Sequence, residues 1–402
     1  MNLFNSSYYK VQKTFLTICG GWPYQTNYNY FVLRTIFLTG IMIFMFLPET
    51  IMIMRNFKDI DLITAILPLF CGSIMGFSKA IVLFSNVNEV KILLEELQKD
   101  WRNFSLIESE LLLIKNYAKR GKQITVMYAG SIYAGGTCFY LMSLAAPVAD
   151  LIKPLNESRH RVFLYPGDFY VPNDNHFLLI LTMEWYGLMC AGHVILTLDT
   201  FYITLLLHSC GTFAVLSQRL EKLEITNFQI NKDQLFQENS NIAQDKKVYF
   251  YLTECIKLHL RNIRFTERLN STFSKAFFID LSFGVLVASA SAVKFVLSIN
   301  EPNQRIMYGG IYLMQSIRIF CNSLPGQLLI NHSNRVKLAA YQSKWYELPE
   351  RSKKLLLILM MRSEKPNEFV VGKLFAMNIQ LFSVINRTCF SYCTALLSLQ
   401  KN

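Results

Sequence analysis

Charge is scarce in this 402-residue chain: Asp, Glu, Lys and Arg make up 17% of it, against about 25% in soluble domains. With 52% hydrophobic residues and a mean hydropathy of +0.26, that scarcity excludes a water-soluble enzyme. It equally excludes a disordered or nucleic-acid-binding tail. Catalytic signatures are missing too. There is no Gly-x-Gly-x-x-Gly, Walker loop, Gly-x-Ser-x-Gly, His-Glu-x-x-His or Cys-x-x-Cys, so no enzyme activity and no cofactor is expected. The six histidines (His160, His176, His193, His208, His259, His332) stand without ligand spacing, and no metal site is expected either. The first thirty residues hold no cleavable signal pattern, because their best apolar stretch, Phe15 to Cys19, is too short.

What the chain does have is long apolar runs. Stretches able to cross about 30 Å of hydrocarbon occur at 31–54, 62–84, 124–148, 177–207, 275–298, 306–330 and 374–399. They predict an all-α, polytopic membrane protein with seven transmembrane helices. The basic residues between them are unevenly placed: segments 1–30, 85–123, 208–274 and 331–373 hold 27, whereas 55–61, 149–176, 299–305 and the tail hold 7. Because Lys and Arg are retained on the cytoplasmic side, the N-terminus is expected inside and the C-terminus outside. The net charge of +12 therefore reports topology rather than nucleic-acid binding. On this topology none of the nine cysteines (Cys19, Cys71, Cys138, Cys190, Cys210, Cys255, Cys321, Cys389, Cys393) lies in the longest outer loop, 149–176, and no disulfide framework is expected. Of six Asn-x-Ser/Thr matches, only Asn156 falls in an outer loop.

The chain is read as one seven-helix domain over 1–402: a cytoplasmic segment 1–30, four spans within 31–207 carrying an outer-half pocket, a cytosolic layer from 208–274 and 331–373, and a last helix at 374–399. The fourth run is about 46 Å long if helical, so it should project into the cytoplasm and place Asp199, His208 and Arg219 at or beyond the inner boundary. Segment 352–362 is too short to span and reads as a buried cytosolic helix. Short apolar helices of this kind need a partner surface, which points to subunit assembly.

Charges inside the spans fall into two groups. Glu49 lies near an outer end, Lys294 can snorkel outward and Lys79 inward. Glu184, Arg318 and Arg387 lie deeper and must face protein or water. The triplet Asn386-Arg387-Thr388 makes the last span the most polar at mid-depth, as suits either a helix lining an aqueous path or an intersubunit hydrogen-bond cluster.

Aromatic and small polar residues recur at helical spacing in the outer halves of four spans: Phe70, Ser73, Ile74 and Phe77; Tyr133, Thr137 and Tyr140; Met183, Tyr186, Gly187 and Cys190; Tyr308, Tyr312 and Gln315. They are expected to share one cavity. An apolar cavity with a few hydroxyls binds a small, mostly apolar molecule, since burial supplies affinity and one hydrogen bond supplies orientation. Pro68 and the pair Gly135-Gly136 would let helices separate or approach there.

Several short motifs carry a likeness. They are Gly20-Gly21-Trp22-Pro23 before the first span; Asp199-Thr200, His208-Ser209-Cys210, Phe213 and Arg219-Leu220 along the fourth; and His259, Phe265, Leu269-Asn270 and Phe273-Ser274 leading into the fifth. The most specific series is C-terminal: Tyr341, Ser343, Trp345-Tyr346, Leu348-Pro349, Met361-Arg362-Ser363, Pro366, Gly372-Lys373 and Ser391-Tyr392. In this order and spacing the chain resembles an insect odorant receptor nearly end to end. The short 208–274 segment resembles an odorant-tuning subunit and not the coreceptor.

That resemblance implies a ligand-gated, non-selective cation channel in the plasma membrane of an olfactory neuron dendrite. It also implies a heterotetramer with the coreceptor subunit, opened by a small volatile organic ligand. Arg387, Tyr392, Ala395 and Leu399 would then belong to the pore, and His208, Trp345, Tyr346 and Leu355 to assembly through the cytosolic layer. The sequence departs from the family pattern at Thr182-Met183-Glu184-Trp185 and at Arg318. A gustatory receptor of the same superfamily is the neighbouring alternative. A G-protein-coupled receptor would need an outside N-terminus and Asp-Arg-Tyr and Asn-Pro-x-x-Tyr motifs, and a secondary transporter would need inverted repeats; neither set is present.

Overall fold

A computed structural model describes residues 3–25, 28–153, 159, 161, 163–164, 176–223, 237–298 and 301–400; side chains at 28, 30–32, 60, 237–243, 393 and 395–400 lie outside that description, as does Asn156. Ten α-helices are described: α1 (Lys10–Ile18), α2 (Tyr28–Arg55), α3 (Ile60–Ser85), α4 (Val87–Phe104), α5 (Glu108–Ile152), α6 (Phe177–Glu221), α7 (Gln237–Leu297), α8 (Pro302–Gln342), α9 (Glu350–Arg362) and α10 (Ile379–Gln400). The seven predicted spans fall on α2, α3, the C-terminal part of α5, α6, the C-terminal part of α7, the N-terminal part of α8, and α10. Five helices (α2, α3, α5, α6, α7) are long and apolar enough to cross a membrane unaided. The other two, α8 and α10, carry Arg318 with Asn322 and Asn386 with Arg387 at mid-length, and need protein neighbours for those groups.

The bundle is organised around α6. Of its apolar stretch, 83% is buried inside the chain, against 11% for α5, so α6 is the central rod and α5 turns a broad face outward. At about 68 Å and 92 Å, α6 and α7 both outrun the bilayer, and their excess packs with α4, α9 and the basic end of α8 into a helical layer at one end of the bundle. Its core joins Leu205, Phe213, Leu216, Leu252, Phe273, Leu356 and Leu359 in one continuous apolar cluster. The N-terminal segment packs back onto α6, where Gln12 donates to the Thr197 carbonyl at 3.2 Å and Cys19 meets the Thr197 hydroxyl. Gly20, at φ +78°, ends α1 in the left-handed region.

The last helix begins at Ile379, five residues later than the sequence reading placed it, because the preceding segment forms a two-stranded hairpin, β1 (Val370–Val371) and β2 (Phe375–Ala376). Its turn holds Gly372 at φ +60° and Lys373 at +63°, the paired left-handed conformation of a tight hairpin turn. Ser274 on α7 clamps it, accepting from the Gly372 N–H at 2.9 Å and donating to the Val370 carbonyl at 2.7 Å. A Cβ on Gly372 would lie 2.4 Å from the Phe278 ring, so the turn that aims α10 is pressed against α7.

Candidate functional site

The fourteen residues expected to share one cavity are divided by the structure into neighbouring sets. On α3, Phe70 stacks on Phe46 of α2 with centroids 5.1 Å apart, Phe77 meets the same ring edge-on, and Ser73 donates to Glu49 at 3.3 Å; Ile74 is half-buried beside them. Between α5 and α6, Tyr133 bonds His193, Tyr140 bonds Thr182 at 3.3 Å, and its ring lies 5.1 Å from Trp185. Thr137 is turned back on its own helix, donating to the Tyr133 carbonyl. On α6, Gly187 and Cys190 are buried, with Met45 of α2 filling the space a Gly187 side chain would need. On α8, Tyr308 and Gln315 are buried, while Tyr312 donates to Asn386 of α10 at 2.9 Å.

Only Met183 and Tyr186 of the fourteen line the open cleft described between α2 and α6. That cleft measures about 520 Å³ and is walled by Ile36, Phe37, Gly40, Ile41, Phe44, Met45, Thr182, Met183, Trp185 and Tyr186. It is apolar and opens on the flank of two spanning helices.

Sequence reasoning missed an ion cluster, and its expectation for Lys79 is corrected there. Lys79 does not snorkel: it is fully buried, paired with Asp199 on α6 and with Asp280 on α7 at 2.9 Å. Asp199 is fully buried as well, and its second oxygen accepts from Tyr128 of α5 at 2.7 Å. Arg318 on α8 places Nη1 2.6 Å from both oxygens of Asp280 and 3.9 Å from Asp199. Five helices thus contribute one group each, and the two cations balance the two anions. Mutual pairing is what makes four charges tolerable where lipid exposure of any one costs several kcal/mol. The signal available in the sequence was Asp280, a lone acid within the fifth apolar run.

Glu49 and Glu184 are buried, and no salt bridge to either is found among the described residues. Glu184 accepts from the Leu164 backbone N–H at 3.0 Å, tying α6 to the outer loop. Lys294 reaches Asp61 at the start of α3 at 3.0 Å.

On α10, Arg387 and Tyr392 are exposed in the isolated chain, and the side chains of Ala395 and Leu399 lie outside the described residues. Ser383, Arg387, Ser391 and Thr394 are all exposed. Their spacing of four, four and three residues puts them on one face.

In the cytosolic layer the four expected assembly residues separate. His208 is buried within the subunit, with Nε2 3.2 Å from Asp100, which Arg261 also holds at 2.6 Å; it braces α4, α6 and α7 and has no free surface to offer. Leu355 is half-buried against the subunit core. Trp345 and Tyr346 are exposed, as are Tyr341 on α8 and Leu357, Ile358 and Met361 on α9. Nearby, Glu110 holds Arg219 through two bonds of 2.7 Å. His259 is buried against Phe213 and Ser363, and burial with the Arg362 charge lowers its pKa to about 4. Among the described residues no group of three or more His, Cys, Asp or Glu side chains is placed to hold a metal.

A bundle of membrane-spanning helices around a buried rod, with a helical layer on the basic side, defines a polytopic all-α membrane protein. A family model described as 7tm Odorant receptor matches residues 59–390, and the chain belongs to that family. Curated relatives include Odorant receptor Or2 of Anopheles gambiae, 23% identical over 71% of this chain and 70% of that one. Odorant receptor 85b of Drosophila melanogaster is 23% identical over 89% of each. Odorant receptor 10 of Aedes albopictus is 28% identical over 40% of this chain and 43% of that one. Among solved structures, the olfactory receptor OR5 from Machilis hrabei in complex with eugenol superposes with a TM-score of 0.76, covering 97% of both chains at 14% identity, which establishes the seven-helix fold.

Proposed function

We propose that this chain is an odorant-tuning subunit of a ligand-gated cation channel, assembled with a coreceptor in the plasma membrane, N-terminus inside. A small, mostly apolar volatile binds in the outer half among α3, α5, α6 and α8, and α10 lines the pore. The observation that carries this reading is the exposed stripe Ser383, Arg387, Ser391 and Thr394 on α10. Lipid cannot satisfy such a face, so it must meet water or the same region of neighbouring subunits. The apolar patch around Trp345, Tyr346 and Ile358 supplies a surface on which subunits can associate.

The test is current recording from cells expressing this chain with and without a coreceptor. Cysteine at Ser391 or Thr394 is exposed to a water-soluble thiol reagent during stimulation. The expected result is coreceptor-dependent, odorant-evoked cation current that the reagent alters. Evoked current unaffected by modification at both sites removes α10 from the pore.

A further inference from the structure

Asn386 sits at the meeting of two helices. Tyr312 on α8 donates its phenol to Asn386 Oδ1 at 2.9 Å, and Ser316, one turn further along, donates to the same oxygen at 3.3 Å. The Asn386 amide nitrogen donates to the Phe382 carbonyl at 3.0 Å, one turn back in α10. Three hydrogen bonds therefore fix the rotamer of one amide, and moving α10 along or away from α8 breaks two of them.

The two ends of this link differ in freedom. Two residues beyond Ser316, Arg318 is held by both oxygens of Asp280, so α8 is anchored to α7 at that level. On α10 the next residue, Arg387, belongs to the exposed stripe. When the link changes, α10 is the side that can move.

From this geometry we infer that Asn386 is a positioning residue that holds α10 in its resting place, and that ligands bearing a hydrogen-bond acceptor release it by taking the Tyr312 hydroxyl. This rests on the reading that α10 lines the pore and that Tyr312 borders the ligand site. A phenol has one proton to donate. A carbonyl, ester or ether oxygen that accepts it leaves Asn386 Oδ1 with Ser316 alone, and the position favoured by the lost bond is depopulated. The ligand class is thus an apolar molecule with at least one acceptor oxygen, with hydrocarbons of equal size as weaker agonists.

The experiment records ligand-free and evoked currents, with surface expression measured in parallel, for Tyr312→Phe, Asn386→Leu and the double variant, each with the coreceptor. The probes are straight-chain esters and alkanes of equal length. Tyr312→Phe should raise the ligand-free share of maximal current about fivefold, the shift expected from loss of about one net hydrogen bond, and Asn386→Leu, which also removes the Ser316 bond, should raise it further. The double variant should rise no further than Asn386→Leu alone, because that change already removes the Tyr312 bond. Ser316→Ala, which disturbs packing least, should give a smaller rise in the same direction. Tyr312→Phe should also erase the preference for esters over alkanes.

Additive effects in the double variant overturn the inference, as does unchanged ligand-free current in both single variants at normal surface expression. An unmodified receptor that passes no evoked current overturns the channel reading and this one with it.

Discussion

Arg318 reaches across from α8 to hold both carboxylate oxygens of Asp280 on α7, each at 2.6 Å. The pair is buried, and Lys79 and Asp199 beside it form a second neutral pair. Removing one member leaves an odd charge, whereas removing a cation and an anion together leaves the rest balanced.

Arg318→Leu and Asp280→Leu should therefore each cost about 3–5 kcal/mol and sharply reduce surface expression and thermal stability in detergent. Arg318→Leu with Asp280→Leu should recover much of that loss. A double variant no better than its worse parent would show that the charges stabilise through something other than mutual neutralisation.

The cytosolic layer should loosen in mild acid. His259 is buried at a pKa of about 4 against 6.5 when free, so the unfolded chain binds the extra proton between those values. Stability is full above pH 6.5, falls as the pH drops, and levels off below about 4, with an upper bound of roughly 3 kcal/mol. Melting curves of purified receptor at pH 7 and 5 check this. His259→Phe should flatten the difference, and an equal slope in that variant would assign it to other groups.

Between α5 and α6, Tyr140 touches both Thr182 and Trp185. Truncation to Tyr140→Ala removes a large apolar contact together with a hydroxyl. The expected outcome is a changed order of odorant preference with surface expression retained. An unaltered odorant profile across Tyr140→Ala, Tyr133→Phe and Tyr308→Ala would place the ligand elsewhere.

Assembly and internal folding should separate by mutation. Ile358→Glu puts a charge on the exposed face of α9 and should abolish co-purification with the coreceptor while the chain itself stays folded. His208→Ala leaves Asp100 with Arg261 alone and should lower the melting temperature of the subunit instead. Retained co-purification with Ile358→Glu would mean that this face is not the contact.

The spans were legible because hydrocarbon imposes length and apolarity on each helix separately. The cluster was not, because pairing is a property of four helices at once. Lys79 alone reads as a residue able to stretch to the surface, and only the fold shows Asp199 and Asp280 beside it. For the pocket the same limit applied: Tyr312 shares a helix face with Tyr308 and Gln315, but spacing cannot show that its hydroxyl is directed at Asn386. His208 was singled out by a motif, which carries no information on whether a side chain faces a neighbour or the interior. The Gly372-Lys373 pair was noticed as a motif, and its role as a left-handed turn needed the backbone.

The charge cluster also bears on how the chain is made. Lys79 is synthesised 120 residues before Asp199, and Asp280 38 residues before Arg318. Helices α3, α6, α7 and α8 each bring a charge whose counter-ion arrives on a different helix, so none can settle alone in hydrocarbon at low cost. Lys79 on α3 must therefore wait for the fourth span, and Asp280 on α7 for the sixth, in a wet or chaperoned setting. A chain truncated before Arg318 would then be held back and degraded during biogenesis, whereas one truncated after it could leave the translocation site, which makes residue 318 a checkpoint in membrane integration.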